Sequence, residues 1–212
     1  MVKQKAPCLA PGEVSSALEV KPKVIPATDP AKLSSLPERL SPALYLQAAQ
    51  WSETQGAIST AQRQYEKALE LDPRDVNSLI AFARFQDRHD HGEEAHRLYQ
   101  QAQSLAPTNT TVLNDLGLFH ARHGNLDAAL KALDQAVRLD PRNVRYRNNL
   151  AAALIESRRV SEAIEVLRAV HPEATALFNV ACLLSLKNET QQAAALLEQS
   201  LRIDPSLAAA HD

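Results

Sequence analysis

Histidine, cysteine and carboxylate side chains are the groups that could do acid–base, nucleophilic or metal chemistry, and this chain holds them in unpromising patterns. Three histidines, His89, His91 and His96, lie among Asp90, Glu93 and Glu94, and His123 stands in the matching position one repeat later. Imidazole and carboxylate suit zinc. However, His89 and His91 fall in a turn, not at i and i+4 on one helix face, and neither an HExxH pattern nor a cysteine partner accompanies them. Solvated turn residues are the expectation. Cys8 and Cys182 form no CxxC pair, and Cys182 has no histidine near it in sequence, so it reads as a small packing residue. GxSxG, GxGxxG, P-loop and EF-hand patterns are absent, and five glycines leave little material for a phosphate-cradling loop. The carboxylates, such as Glu66/Glu70 and Glu93/Glu94, sit where solvated helix surface is expected. The chain is therefore expected to be no enzyme, with no metal and no cofactor.

A different chemistry recurs at regular spacing. Gln47, Ala81, Asp115, Asn149 and Asn179 follow one another at intervals of 34, 34, 34 and 30 residues. Four of these five are amides or a carboxylate. An amide offers both a donor and an acceptor, so a row of them can pair with the backbone of an extended peptide whatever its side chains. Asn114 and Asn148 flank the row one residue earlier, and Arg84 and Arg145 could bind acidic groups. The competing reading is a polar, solvated surface that needs no ligand.

Helices have to position that row. Of twelve prolines, seven lie in the first 42 residues, while Pro73, Pro107 and Pro141 are spaced by 34 and are followed by Pro172 and Pro205. A residue that lacks an N–H and locks φ marks helix ends when it recurs regularly. Residues 1–40 carry six Lys+Arg and four Asp+Glu among Pro, Ser and Ala without helical periodicity, and a disordered, Pro-rich tether is expected there. From 42 to 205 small residues recur in register: Ala49, Ala83, Gly117, Ala151 and Ala181; Ala61, Ala95, Ala129, Ala163 and Ala193; then Ala68, Ala102 and Ala136, weakening to Val170 and Ser200. Large residues fill matching slots at Tyr65, Tyr99, Leu133, Leu167 and Leu197, and at Ala48, Phe82, Leu116, Leu150 and Val180. Each unit thus offers two helices that approach closely at a small residue while a bulky neighbour fills the gap, and stacking buries what one pair cannot.

The punctuation has the same period. Ser41, Asp75, Asn109 and Asn143 are good N-caps for successive first helices, and Pro42 suits the first helical position. Gly56, Asp90, Gly124, Arg158 and Asn188 fall between the two helices of each unit, and all but Arg158 tolerate a left-handed helix stop. Unit four is irregular: seven residues separate Leu167 from Ala174, where the equivalent step from Leu133 to Val144 takes eleven. Its second helix is expected to end early, near His171-Pro172.

The pattern resembles the tetratricopeptide repeat family over residues 42–205. The motifs are Leu116-Gly117, the three alanine series, the Tyr65/Tyr99 slot and the closing Leu-Asp-Pro of 71–73 and 139–141. The aromatic usual late in the first helix is replaced by Ser52, Gln86, His120, Leu154 and Leu184, and the first-helix Trp slot holds Tyr45, Leu79, Leu113, Arg147 and Leu177. The resemblance implies an all-α, right-handed α-solenoid of five helix pairs, near 42–75, 76–109, 110–143, 144–173 and 174–207. Its first helices would line a concave groove. The row Gln47, Asp115, Asn149 and Asn179, with Asn114, Asn148, Arg84 and Arg145, would then face a partner. This is similar to the asparagine ladder of some members. A clamp for a peptide's terminal carboxylate fits poorly, since Leu46, Gln50, Ala81, Thr111 and Asp115 include no cation.

A net charge of −2, and −4 for residues 41–212, argues against nucleic-acid or anionic-membrane partners, and no apolar run spans a bilayer. The leading expectation is a non-catalytic scaffold or adaptor that binds an extended protein segment in its groove. The alternative is a structural assembly factor of a bacterial envelope or secretion complex, acting through helix ends and convex surface. After Pro205 only seven residues follow, too few to cover Ala194, Leu197 and Leu201. Either a sticky C-terminal face used for self-association or a partner, or a short, frayed cap over 206–212, is expected. No secretory signal follows Met1, so a cytoplasmic location is the default; a true start upstream would make it periplasmic or envelope-tethered.

Overall fold

The computed structural model describes residues 41–207; the expected tether over 1–40, and residues 208–212 of the expected cap, lie outside the described residues. The described residues form ten α-helices and no strand. They divide into two compact units. Residues 41–105 hold α1 (Pro42–Thr54), α2 (Ile58–Leu71), α3 (Val76–Arg88) and α4 (Gly92–Leu105). Residues 106–207 hold α5 (Thr110–Arg122), α6 (Leu126–Leu139), α7 (Val144–Glu156), α8 (Val160–Arg168), α9 (Glu173–Leu186) and α10 (Thr190–Ile203). None of these helices is long and apolar enough to cross a membrane.

Local chemistry sets both ends of the first helices. The side chains of Ser41, Asp75, Asn109 and Asn143 accept hydrogen bonds from the first-turn N–H groups of α1, α3, α5 and α7. At the far end, one turn is built five times. Residues 56, 90, 124, 158 and 188 all have positive φ, between 62° and 76°. In each, the N–H of the following residue reaches back across the turn: Ala57 to Ser52 O, His91 to Gln86 O, Asn125 to His120 O, Arg159 to Leu154 O and Glu189 to Leu184 O, at 2.8–3.0 Å. These bonds satisfy carbonyls that the helix end would orphan. Arg158 adopts the same conformation as the glycines, although its Cβ is disfavoured there.

Within each unit the paired helices pack on one another, and each second helix packs on the first helix that follows it. The alanine columns are the contact points: Ala49, Ala61, Ala68, Ala83, Ala95, Ala102, Ala129, Ala136, Ala151 and Ala163 are all fully buried. In the first unit Tyr65 of α2 stacks on Phe82 of α3 (5.4 Å between centroids) and meets Phe85 (5.2 Å). Its hydroxyl donates to Glu53 Oε2 at 3.1 Å, and Glu53 also accepts from Arg88 Nε at 2.9 Å, so three helices share one carboxylate. Burial, with the Glu53 carboxylate beside it, holds the Tyr65 phenol well above its usual range. The second unit has a continuous core that includes Leu113, Leu133, Leu150, Leu154, Leu167 and Val180.

Helix α8 has nine residues, against fourteen in each of the other four second helices. Ending early leaves its last carbonyls without helical donors. Val170 N–H and His171 N–H both go to Leu167 O, and Val166 O instead accepts from Arg147 Nη1 at 2.9 Å. Arg147 Nε donates to Pro141 O at 2.7 Å. The cation in a slot that holds leucine at positions 79, 113 and 177 is thus the donor for a carbonyl that the shortened helix leaves open.

Two glycines illustrate different constraints. Gly117 lies against α6, where an added Cβ would stand 2.6 Å from Leu133 Cγ and 3.2 Å from Ala129 O. Gly124 has open space around it but a φ of +76°. Gly117→Ala should lower stability by about 1–3 kcal/mol through overpacking, and Gly124→Ala by about 1 kcal/mol through backbone strain alone. Urea melts of both variants would check the order. Arg147→Leu should cost about 1–3 kcal/mol by stranding Val166 O, although leucine is the residue at positions 79, 113 and 177; a melt unchanged from wild type would contradict that role.

Candidate functional site

In the second unit the first helices α5, α7 and α9 pack side by side. The first turn of α7 is set by its Asn143 cap, which places Arg145, Asn148 and Asn149 at i, i+3 and i+4 on one side of the helix. Asn179 occupies the register of Asn149 in α9, shifted by the shortened repeat.

These residues do not form a uniform solvated row. Asn114, Asp115 and Asn149 are buried, at 2%, 7% and 8% exposure. Asn149 Nδ2 donates to Asn114 Oδ1 at 2.7 Å, and Asn114 Nδ2 donates to Asp115 Oδ1 at 3.2 Å. Three candidates therefore stitch α7 to α5 through a buried chain of polar bonds. Asn148 and Asn179 are half-buried, and Arg145 is exposed. Asn148 Oδ1 is itself buried and has no hydrogen-bond partner among the described residues. In the first unit, Gln47 is exposed on α1, and Arg84 is half-buried and close enough to Tyr65 to act on its phenol.

Arg145 is the cation among the second unit's candidate residues. Several cations of the second unit are paired with carboxylates: Arg138 with Asp134, Arg158 with Glu189, Arg159 with Glu162, Arg168 with Glu165 and Glu173, and Lys187 with Glu156. Arg145 instead lies over the ring of Tyr146, 5.3 Å from its centroid. The Tyr146 hydroxyl donates to Thr110 Oγ1 at 3.2 Å, a second link from α7 to α5. Burial alone would raise the Tyr146 phenol, but hydrogen bonds with Thr110, Thr111 and Arg145 and the Arg145 charge outweigh it and hold the phenol below its usual value.

The repeat pattern alone does not reveal the Asn149–Asn114 and Tyr146–Thr110 links. Their signal was available as polar pairs spaced by 35 and 36 residues, just beyond the repeat period. His91 and His123 are exposed and His89 and His96 half-buried, and several of them also make local contacts. His89 packs on Phe85 and His123 on Phe119, with centroids 4.5 and 4.4 Å apart, and His91 Nδ1 meets Gln86 Oε1 at 2.8 Å. No group of three metal-ligating side chains is present among the described residues. Cys182 is buried in α9.

Models of the tetratricopeptide repeat match residues 80–141 and 114–175, and a further one matches residues 174–207. The chain belongs to the tetratricopeptide repeat family, an all-α solenoid class of protein–protein interaction scaffolds. Among solved structures it is similar to YrrB, a TPR protein with an unusual peptide-binding site, at 22% identity over 76% of this chain and 86% of that one (TM-score 0.57). It is also similar to PilF of Pseudomonas aeruginosa, at 24% identity over 75% and 76% of the two chains (TM-score 0.59). A third match, at 19% identity and a TM-score of 0.58, is to the Cut9-Hcn1 hetero-tetramer of the APC/C, covering 78% of this chain and 34% of that one. No curated protein sequence matches the chain.

The two amides predict different outcomes. Asn149→Ala should lower stability by about 1–3 kcal/mol, since it leaves Asn114 Oδ1 buried without its donor. Asn179→Ala should stay within about 0.5 kcal/mol. Paired urea denaturation curves would separate them.

Proposed function

We propose that the protein is a non-catalytic scaffold that holds an extended segment of a partner protein along its first helices. In the second unit, Asn148 and Asn179 bond the partner's backbone, and Arg145 takes an acidic neighbour. Asn114, Asp115 and Asn149 form the rigid frame beneath them, and their mutual bonds hold the α5 and α7 backbones in register. Gln47 and Arg84 offer the same chemistry on the first unit. The observation that supports this most directly is that Asn148, Asn179 and Arg145 stay half-buried or exposed on α7 and α9, while Asn114, Asp115 and Asn149 are buried and bonded in a chain. Side-chain amides at such partly open positions can donate to and accept from the backbone of an extended peptide. The family match and the presence of a peptide-binding protein among the structural neighbours agree with this reading.

Peptides selected from a random displayed library against the full chain provide the test. Bound peptide should protect amides and side chains of α5, α7 and α9, and Asn179→Ala combined with Arg145→Glu should weaken binding at least tenfold with helicity unchanged. Unaltered binding by that variant, or protection gathered on α8 and α10, would overturn the proposal; the second result would favour the assembly-factor alternative.

A further inference from the structure

The two ends of the described chain each leave uncovered one half of an interface that both units form internally. In the first unit, Phe82 and Phe85 of α3 meet Tyr65 of α2, and they and Ser78 of the same stripe are at most 5% exposed. The residues at the same register one period earlier are Leu44, Ala48 and Trp51 of α1. No helix precedes α1 among the described residues, and Leu44 is 44% and Trp51 61% exposed. At the other end, the slot of Tyr65 is at most 1% exposed at Tyr65, Tyr99, Leu133 and Leu167. Its fifth occupant, Leu197 of α10, is only half-buried, with Ala194 exposed and Leu201 half-buried on the same side of the helix. The centres of both open faces carry no charge.

We propose that the α10 face of one copy docks on the α1 face of the next. Leu197 then lies over Ala48 and Trp51 as Tyr65 lies over Phe82 and Phe85. The occupant follows from continuity: the two open faces are the donor and acceptor sides of the repeat-to-repeat packing, so a second copy continues that packing between molecules. Such contacts are heterologous, joining unlike surfaces, and grow into chains or rings instead of closed pairs. This association goes beyond the groove reading and needs none of its residues.

Trp51 is the chain's single tryptophan, so its emission reports the contact directly. Sedimentation velocity of the full chain across a wide concentration range should show mass rising with concentration and Trp51 emission moving to the blue in step. Ala194→Glu on α10 and Trp51→Glu on α1 should each weaken association at least tenfold, with circular dichroism unchanged; Ala194 is exposed, so its replacement does not enter the core. Mixed together, these two variants should form a one-to-one dimer that grows no further, because each retains the face the other has lost. The proposal is overturned by a monomer at every concentration, or by association that both variants leave intact. Failure of the mixture to pair overturns it too, as does Trp51 emission that is shielded at all concentrations, which would mean that the chain itself covers α1.

Discussion

Close approach of helix backbones at small residues is the constraint on which the rest depends. An alanine at zero exposure lets the neighbouring helix pass at the distance of a methyl group, and the bulky residue beside it then fills the remaining space. Gly117 is the limiting case, because Leu133 occupies the volume that a methyl would need. Every later feature inherits this spacing. The Tyr65 ring reaches Phe82 and Phe85, and Asn149 comes within bonding distance of Asn114, because the intervening backbones are held close.

The turns show how much of a repeat is local. Five helix ends share one pair of backbone bonds and one positive φ, yet the residue at that position is glycine twice and aspartate, arginine and asparagine once each. The strain of a non-glycine residue, about 1–2 kcal/mol, is outweighed by packing on both sides of the turn. The shortened fourth repeat follows the same logic in reverse. Removing a turn of helix frees carbonyls, and Arg147 supplies donors to one at the helix end and another before α7. A substitution that departs from the leucine of its slot is thereby explained by a deletion nearly twenty residues further along.

The polar surface divides into a frame and a face. Buried polar groups in a well-packed interior must bond one another, and the chain from Asn149 through Asn114 to Asp115 does so across two helices. What remains at the surface is a short set of amides with one cation over an aromatic ring. Such a set offers hydrogen-bond donors and acceptors suited to a polypeptide backbone more than pockets for its side chains.

The amino-acid sequence by itself determined the number and type of the helices, their caps and their stops. Periodic alanine, Asx or serine caps and left-handed turn residues act over four or five residues, so the chain carries them in plain view; even the early end of α8 was visible as a shortened interval. The tertiary structure alone decided which amides face inward. Asn149 and Asn179 share a register and a residue type, yet one is bonded across helices and the other is half-open. That outcome depends on how far α7 and α9 stand from their neighbours, a distance between elements that no local pattern records. It also decided that His89 and His123 rest on phenylalanine rings, and that Leu44 and Trp51 lie open where their counterparts are buried. Each depends on which helix, among the described residues, packs beside it, a property of the stack and not of the residue.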